Sequence, residues 1–265
     1  MKQTIHLYTI CWNETKFLNF FFQYYDSIVD EYHFYDDGSD DSTLSMLEAH
    51  PKVNIHSFET IEDSYVLSAQ RLHESHWKNS KGKANWVIVT AVDEFLYHPD
   101  ILDYLKQCTL DGITAIPAIG FQMISDFYPK NGMPLINQVT SGAYFTEMNK
   151  LSIFNPDAMT TTNYAPGRHK ADPQGNVCYP TSDVLLNLHY KYLSLEETFI
   201  RHKELDNKLR GFDKEKNFGH RYRWDLVELK KDWQLFMDKA IPNVFSKKEL
   251  QYLLEVTKVG KWWRP

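Results

Sequence analysis

Glu31-Tyr32-His33-Phe34-Tyr35-Asp36-Asp37-Gly38-Ser39-Asp40-Asp41-Ser42-Thr43 reads as a strand that runs into a carboxylate-rich turn and opens a helix. Residues 31–35 have strand character, Gly38 permits the tight turn, and Asp41 or Ser42 can cap a helix over 41–50. Outward from it the pattern repeats: a strand over 4–11 and a helix over 15–25 precede it, and another strand over 53–58 follows. That alternation implies parallel βαβ units with helices on both sheet faces. A long polar and aromatic helix around 64–79 leads to 85–90, where Trp86-Val87-Ile88-Val89-Thr90 has the continuous apolar character of a strand buried on both sides. Asp93 and Glu94 follow at once. Ligands of open α/β sheets bind beyond the carboxyl ends of the strands, so the acids after 31–35 and after 85–90 are expected in one crevice.

Residues 113–123 read as a further strand, irregular or at an edge because Pro117 cannot donate to a ladder. Residues 125–139 and 160–181 are rich in Pro, Gly, Asn and Asp and read as long loops, which in a compact domain are usually functional or mobile. From 195 onward the pattern turns helical, with a basic, aromatic stretch at 201–224 and an amphipathic tail through Trp263. The expected fold is α/β: a Rossmann-like mixed, mostly parallel sheet flanked by helices, with a helical C-terminal extension. We expect one domain over 1–194, in two parts of about 1–100 and about 101–194, with 195–265 packing on the same domain.

Composition narrows the function classes. The 265 residues carry 29 basic and 35 acidic side chains, a net charge of −6, so nothing favours sequence-independent binding to nucleic acid phosphates. Cys11, Cys108 and Cys178 are odd in number and lack CxxC spacing, which argues against a disulfide framework or structural zinc site and fits a reducing cytoplasm. The first residues turn polar too soon for a secretory signal, and no stretch approaches the roughly 18 apolar residues of a membrane span. A soluble or peripheral cytoplasmic protein is therefore expected. Aromatic residues make up 15% of the chain, and such rings serve equally as core filling and as platforms for sugars and bases.

Two adjacent carboxylates at a strand end, Asp36 and Asp37, are costly without a partner, which favours a ligand role, while Asp41 suits a helix cap. Asp93 and Glu94 offer hard oxygens suited to Mg²⁺ or Mn²⁺, against the plain alternative of a solvated strand end. His189 lies directly after a polar loop in Leu186-Asn187-Leu188-His189-Tyr190-Lys191, where a structural hydrogen-bonder competes with a metal ligand. Gly167-Arg168-His169-Lys170 combines a flexible turn with three donors. Arg201, Lys203, Lys208 and Arg210 form a basic face near a helix, for which diphosphate contact and mere solvation both remain open.

The collinear series Asn13-Glu14, YDDGSDDST, WVIVTAVDEFLYHPD, GFQM, APGRHKADPQG and LNLHYKY resembles the bacterial family-2-like glycosyltransferases with a GT-A fold, over most of residues 4–225. The resemblance implies transfer of a sugar from a nucleotide diphosphate donor, UDP-sugar first among them, to an acceptor hydroxyl on a glycan or lipid-linked molecule in polysaccharide synthesis, most commonly with inversion. It puts Asp36 and Asp37 on the base and ribose and Asn13 in the loop flanking the nucleotide; Glu14, Arg168, His169 and Lys191 are further candidates for contact with the donor. It makes Asp93, Glu94 and His189 the holders of a divalent cation, Mn²⁺ or Mg²⁺. One departure stands out: Ala91 occupies the first acid position of the DxD-like motif, which implies a weakened metal site and impaired turnover. For the base that takes the acceptor proton, Asp126 after the GFQM strand is the candidate and Asp172 the runner-up. A nucleotidyltransferase is the alternative enzyme, although Cys11-Trp12-Asn13-Glu14-Thr15-Lys16-Phe17 holds no glycine-rich phosphate loop; a non-catalytic nucleotide-sugar-binding protein is the other. The terminal Lys261-Trp262-Trp263-Arg264 suits either a membrane interface or packing against the main domain.

Overall fold

A computed structural model describes residues 2–246 and 261–264. Eleven strands are present among these residues: β1 (Ile5–Cys11), β2 (Glu31–Asp36), β3 (Val53–Ser57), β4 (Trp86–Val89), β5 (Glu94–Tyr97), β6 (Ala115–Ser125), β7 (Gly142–Tyr144), β8 (Lys150–Phe154), β9 (Met159–Thr161), β10 (Gln174–Gly175) and β11 (Leu186–Leu193). The main sheet has the order β3-β2-β1-β4-β8-β6-β11-β5, with β7 paired to β6. It is mixed and mostly parallel. Strands β3, β2, β1 and β4 are parallel throughout, β8 is antiparallel to both β4 and β6, and β11 lies parallel to β6 but antiparallel to β5.

Strand periodicity sorts the core into two layers. In β1 and β4, Ile5, Leu7, Trp86 and Ile88 join one apolar cluster with Phe21 and Tyr25 of α1 (Leu18–Tyr25), while Tyr8, Ile10, Val87 and Val89 join another with Trp77, Ala69 and Leu72. Both faces of the central strands are thus covered, which is why the sequence there runs apolar without alternation. Each fully buried Leu, Ile or Phe contributes about 1.5–3 kcal/mol. The remaining helices are α2 (Thr43–Glu48), α3 (Tyr65–Ser75), α4 (Ile101–Leu110), α5 (Leu135–Gln138), α6 (Leu195–Lys208), α7 (Gly211–Glu215) and α8 (Leu226–Lys239).

The expected helix over 64–79 is α3 followed by a 3₁₀ segment, His76–Ser80. Its first turn is capped by Ser64, whose Oγ accepts from Leu67 N at 3.1 Å and donates at 2.5 Å to Asp213 of α7, a fully buried carboxylate. The expectation of an edge at Pro117 is corrected: β6 is buried along its whole length between β8 and β11. The missing N–H is accommodated instead by a register shift between Ile116 and Pro117. Both long Pro- and Gly-rich stretches contain short ordered pieces, α5 in one and β10 with the turn Pro166–Arg168 in the other.

Helix α6 packs on β11, and α8 lies against β6 and β7 and against α6. Residues 247–260 of the expected amphipathic tail lie outside the described residues. Its terminal aromatic cluster is described, and it packs on the domain: Trp262 Nε1 donates to the Asn149 carbonyl and Trp263 Nε1 to Asp183 Oδ1, each at 2.8 Å. Lys261 and Arg264 pair with the same Asp183 carboxylate at 3.2 and 3.0 Å. Among the described residues no helix is long and apolar enough to cross a membrane.

Candidate active site

A cleft of about 740 Å³ opens at the carboxyl ends of β1, β2 and β4. Trp12, Asn13 and Glu14 after β1, Asp37 and Asp41 after β2, and Ala91 and Asp93 after β4 line one side. Lys191 and His189 of β11 and residues from α6 through Tyr222 line the other. The crevice expected from the two acidic strand ends is therefore present, and the C-terminal helices wall it.

At its centre Asp93 meets His189. Asp93 Oδ2 stands 3.3 Å from His189 Nε2, and the Asp93 side chain is 31% exposed. The ring's other nitrogen, Nδ1, lies 2.7 Å from Gln122 Oε1. Gln122 is buried, and its amide nitrogen donates to the carbonyls of Met123 and His189 at 3.0 and 3.1 Å, so its oxygen is left to accept from the ring. Nδ1 therefore carries a proton, and the Nε2 of a neutral ring turns its lone pair toward the Asp93 carboxylate. Two acceptors facing each other require a cation: a proton, or a metal ion beside both. An imidazole fixed through its second nitrogen by an outer partner is the usual arrangement of a metal-ligating histidine. With that proton on the ring, the His189 imidazolium and the Lys191 ammonium hold the Asp93 carboxyl below its ordinary range against the upward push of burial. The β11 ladder shifts register between His189 and Tyr192, a bulge of the kind that re-aims side chains beside functional sites.

Glu94 requires a correction. It is 2% exposed, Lys150 Nζ sits 2.6 Å from Oε1, and Arg168 Nη2 sits 2.6 Å from Oε2. Arg168 also donates from Nη1 to the Val89 carbonyl at 2.7 Å. Both oxygens are occupied, so Glu94 serves as the buried anchor of a charge cluster and has no free oxygen to offer an ion. Burial pushes its carboxyl up, but the two cations dominate and hold it well below the ordinary range. Arg168, expected on the donor, is likewise 3% exposed and committed to this cluster, whereas its neighbour His169 lines the cleft and places Nδ1 2.6 Å from the Glu147 carbonyl. Lys150, which supplies half of the neutralisation, carries no motif that marks it in the sequence.

On the β1–β2 side, Asp36 holds its own turn: it accepts from Gly38 N at 3.0 Å, from Ser39 N at 3.0 Å and from Ser39 Oγ at 2.5 Å, and it does not line the cleft. Asp37 does line it, 6% exposed, with Arg210 Nη2 at 2.5 Å and its carbonyl accepting from Lys208 at 2.7 Å. Asp41 accepts from Thr15 Oγ1 at 2.6 Å and Thr43 N at 2.8 Å, the capping role expected of it. Asn13 has a left-handed φ of 52° and is clamped to Asp40, Nδ2 to Oδ1 at 2.6 Å and Asp40 N to its Oδ1 at 2.9 Å. Glu14 pairs with Arg201 at 2.8 Å. Burial, aided by the charges of Asp93 and Asp41 and opposed by Arg201, pushes its carboxyl up to about 7. Arg201 and Lys208 both stand over the Trp12 ring, 5.3 and 5.1 Å from its centroid. Lys191 donates to Tyr222 OH at 3.0 Å, while Lys203 turns away to the Trp224 carbonyl at 2.7 Å.

Neither expected base is in place. Asp126 and Asp172 are both exposed on loops, and neither lines the cleft. Ala91 and Asp93 both line it, so a side chain at 91 opens on the same cleft as Asp93.

No family model and no curated protein matches the chain. Solved structures resemble it. They include S. aureus TarS, 10% identical, with a TM-score of 0.40 over 76% of this chain and 38% of that one. Residues 1–349 of TarS in complex with UDP-GlcNAc are 9% identical, with a TM-score of 0.39 over 76% and 64%. Glucosyl-3-phosphoglycerate synthase from Mycobacterium tuberculosis, in complex with Mn²⁺, UDP and phosphoglyceric acid, is 15% identical, with a TM-score of 0.38 over 63% and 61%. The chain thus spans between 38% and 64% of the length of these structures.

Proposed function

We propose that the protein is a glycosyltransferase that takes a sugar from a nucleotide diphosphate donor, UDP-sugar first among them, and places it on an acceptor hydroxyl with inversion. The observation that carries this is the Asp93–His189 pair, two acceptors held face to face at a strand end inside a cleft large enough for a nucleotide sugar. The pair fits Mn²⁺ or Mg²⁺: one carboxylate and one imidazole with a fixed tautomer, leaving the remaining positions for diphosphate oxygens. A divalent ion bound there would neutralise charge developing on the departing diphosphate. With a methyl at Ala91 the protein supplies less charge, so the ion is expected to bind weakly alone and better with the donor's phosphates.

The chain's own residues carry the rest. Asp37 and the Asn13 loop form the nucleotide end, and the donor exchanges with Arg210 for Asp37. Lys191, Arg201, Lys208 and His169 surround the diphosphate. Glu14 replaces Asp126 and Asp172 as the candidate base, because it lines the cleft and its carboxyl lies near 7, where it can accept a proton and later release it. The acceptor oxygen gives its proton to Glu14, bonds to the anomeric carbon, and the bond from that carbon to the diphosphate breaks. The acceptor is proposed as a glycan or lipid-linked hydroxyl met in the cytoplasm, at the membrane's inner face where the lipid is the carrier.

Ala91 also favours a second reading, a nucleotide-sugar-binding protein that does not turn over. A panel of nucleotide sugars with Mn²⁺ and with Mg²⁺, read by thermal stabilisation and by donor hydrolysis, separates them. Stabilisation with hydrolysis supports the transferase; stabilisation without hydrolysis, unchanged in Ala91→Asp, supports the binder. Stabilisation by no nucleotide sugar rejects both.

A further inference from the structure

At the opposite end of the strands from the cleft, β1 and β2 place three ligating side chains together. His6 is paired in register with Glu31, and His33 follows Glu31 on the same face of β2. His6 Nε2 lies 3.7 Å from Glu31 Oε2, and His33 Nε2 lies 3.4 Å from Glu31 Oε1. One ligand atom from each of the three lies within 4.8 Å of the other two. Zinc bonds of about 2.0–2.1 Å at tetrahedral angles put ligand atoms about 3.3 Å apart, so small side-chain movements suffice to close the set.

The surroundings are those of a ligand cluster. His33 Nε2 is buried and makes no hydrogen bond. The other nitrogen of each ring has an outer partner, His6 Nδ1 at 2.8 Å from Ser80 Oγ and His33 Nδ1 at 3.1 Å from His56 Nε2. Ser80 Oγ is held in turn by Tyr8 OH at 2.7 Å, and Glu31 Oε1 accepts from Asn54 at 2.9 Å. His33 is stacked on Tyr8, with centroids 4.4 Å apart, which fixes its ring plane. The Glu31 side chain is 42% exposed, which gives an ion a way in and leaves a fourth position to water.

We propose that His6, Glu31 and His33 form a zinc-class divalent metal site that clamps β1 to β2, about 16 Å along β1 from the cleft. It is independent of the activity proposed above. The test uses the full chain carrying Asp93→Asn, which removes the cleft's carboxylate ligand, titrated with Zn²⁺ by calorimetry and with Co²⁺ by visible absorption. One Zn²⁺ per chain, with a tetrahedral Co²⁺ spectrum, is expected. Adding Glu31→Gln or His6→Gln is expected to weaken Zn²⁺ at least tenfold, with the fold checked by circular dichroism. Glu31 is exposed, so Glu31→Gln keeps the fold and decides the matter if His6→Gln does not. Absence of Zn²⁺ uptake, or a loss smaller than tenfold in Glu31→Gln, overturns the site.

Discussion

Asp93 and Glu94 are neighbours in the chain with opposite fates. Glu94 is sealed from solvent, and the protein neutralises it twice, through Lys150 and Arg168. Asp93 is nearly a third exposed and, among the described residues, makes its one ion-pair contact with an imidazole held from behind by Gln122. A carboxylate that the fold neutralises twice is part of the scaffold; one that it leaves partly exposed to the cleft is free to meet a ligand, as proposed above. The difference arises where the chain enters β5: Asp93 ends the turn at the mouth of the cleft, and Glu94, the first residue of the strand, is buried against Lys150 and Arg168.

The largest effect that bears on this contrast is on stability. Arg168→Met leaves Glu94 buried with half its compensation, and we expect a loss of about 3–5 kcal/mol in denaturant unfolding, against less than about 1 kcal/mol for Asp93→Asn. Similar losses in both would erase the distinction. Next comes Gln122→Leu, which frees the His189 ring without touching a ligand. Metal affinity measured with donor diphosphate present should drop by about 10–100-fold, and an unchanged affinity would remove the lone-pair argument. Ala91→Asp adds a carboxylate on the Asp93 side. It should tighten the cation about tenfold and raise donor hydrolysis, whereas Asp93→Ala abolishes both; equal rates in all three proteins would show that the pair holds no catalytic metal.

The remaining effect is electrostatic. The folded-state pKa of Glu14, about 7, lies above its unfolded value of 4.5. Between these values the folded chain keeps a proton the unfolded chain has lost, so stability is greatest below about pH 4.5 for this group and is lost as pH rises through 7. Glu14→Gln should flatten that dependence by on the order of 1–3 kcal/mol in pH-resolved melts, and an unaltered slope would place its pKa in the ordinary range.

Much of this was legible before any coordinates. Continuous apolar runs such as Trp86–Val89 and the turn at Asp36–Asp41 are local signals, and they gave the parallel half of the sheet and the position of the cleft. Asp93 and His189 were recoverable through their order in a collinear pattern. What escaped depends on contacts between distant segments. No spacing rule links Glu94 to Lys150, or His189 to Gln122, and a lone buried lysine looks in sequence like any surface one. Asp126 and Asp172 were chosen as acids on loops near the acceptor side, but loop direction is set by packing, and it carries both out of the cleft. The irregularity at Pro117 is legible from its missing donor; that the strand is interior and not an edge is not, because a register shift lets the proline stay there.

The link between β4 and β5 has a bearing on how the molecule forms. Four residues, 90–93, carry the chain out of the parallel half, yet β5 gains its sheet partner only when β11 arrives from far along the sequence. Local βαβ units close small loops and form early; the β5–β11 pairing closes a long one and must wait. The strand ends that carry Asn13 and Asp37 can therefore be in place while Asp93 still has no histidine opposite it. Pulse-labelled hydrogen exchange should find the amides of β1 and β2 protected before those of β5, so that the two sides of the cleft form in the order in which they stand along the chain.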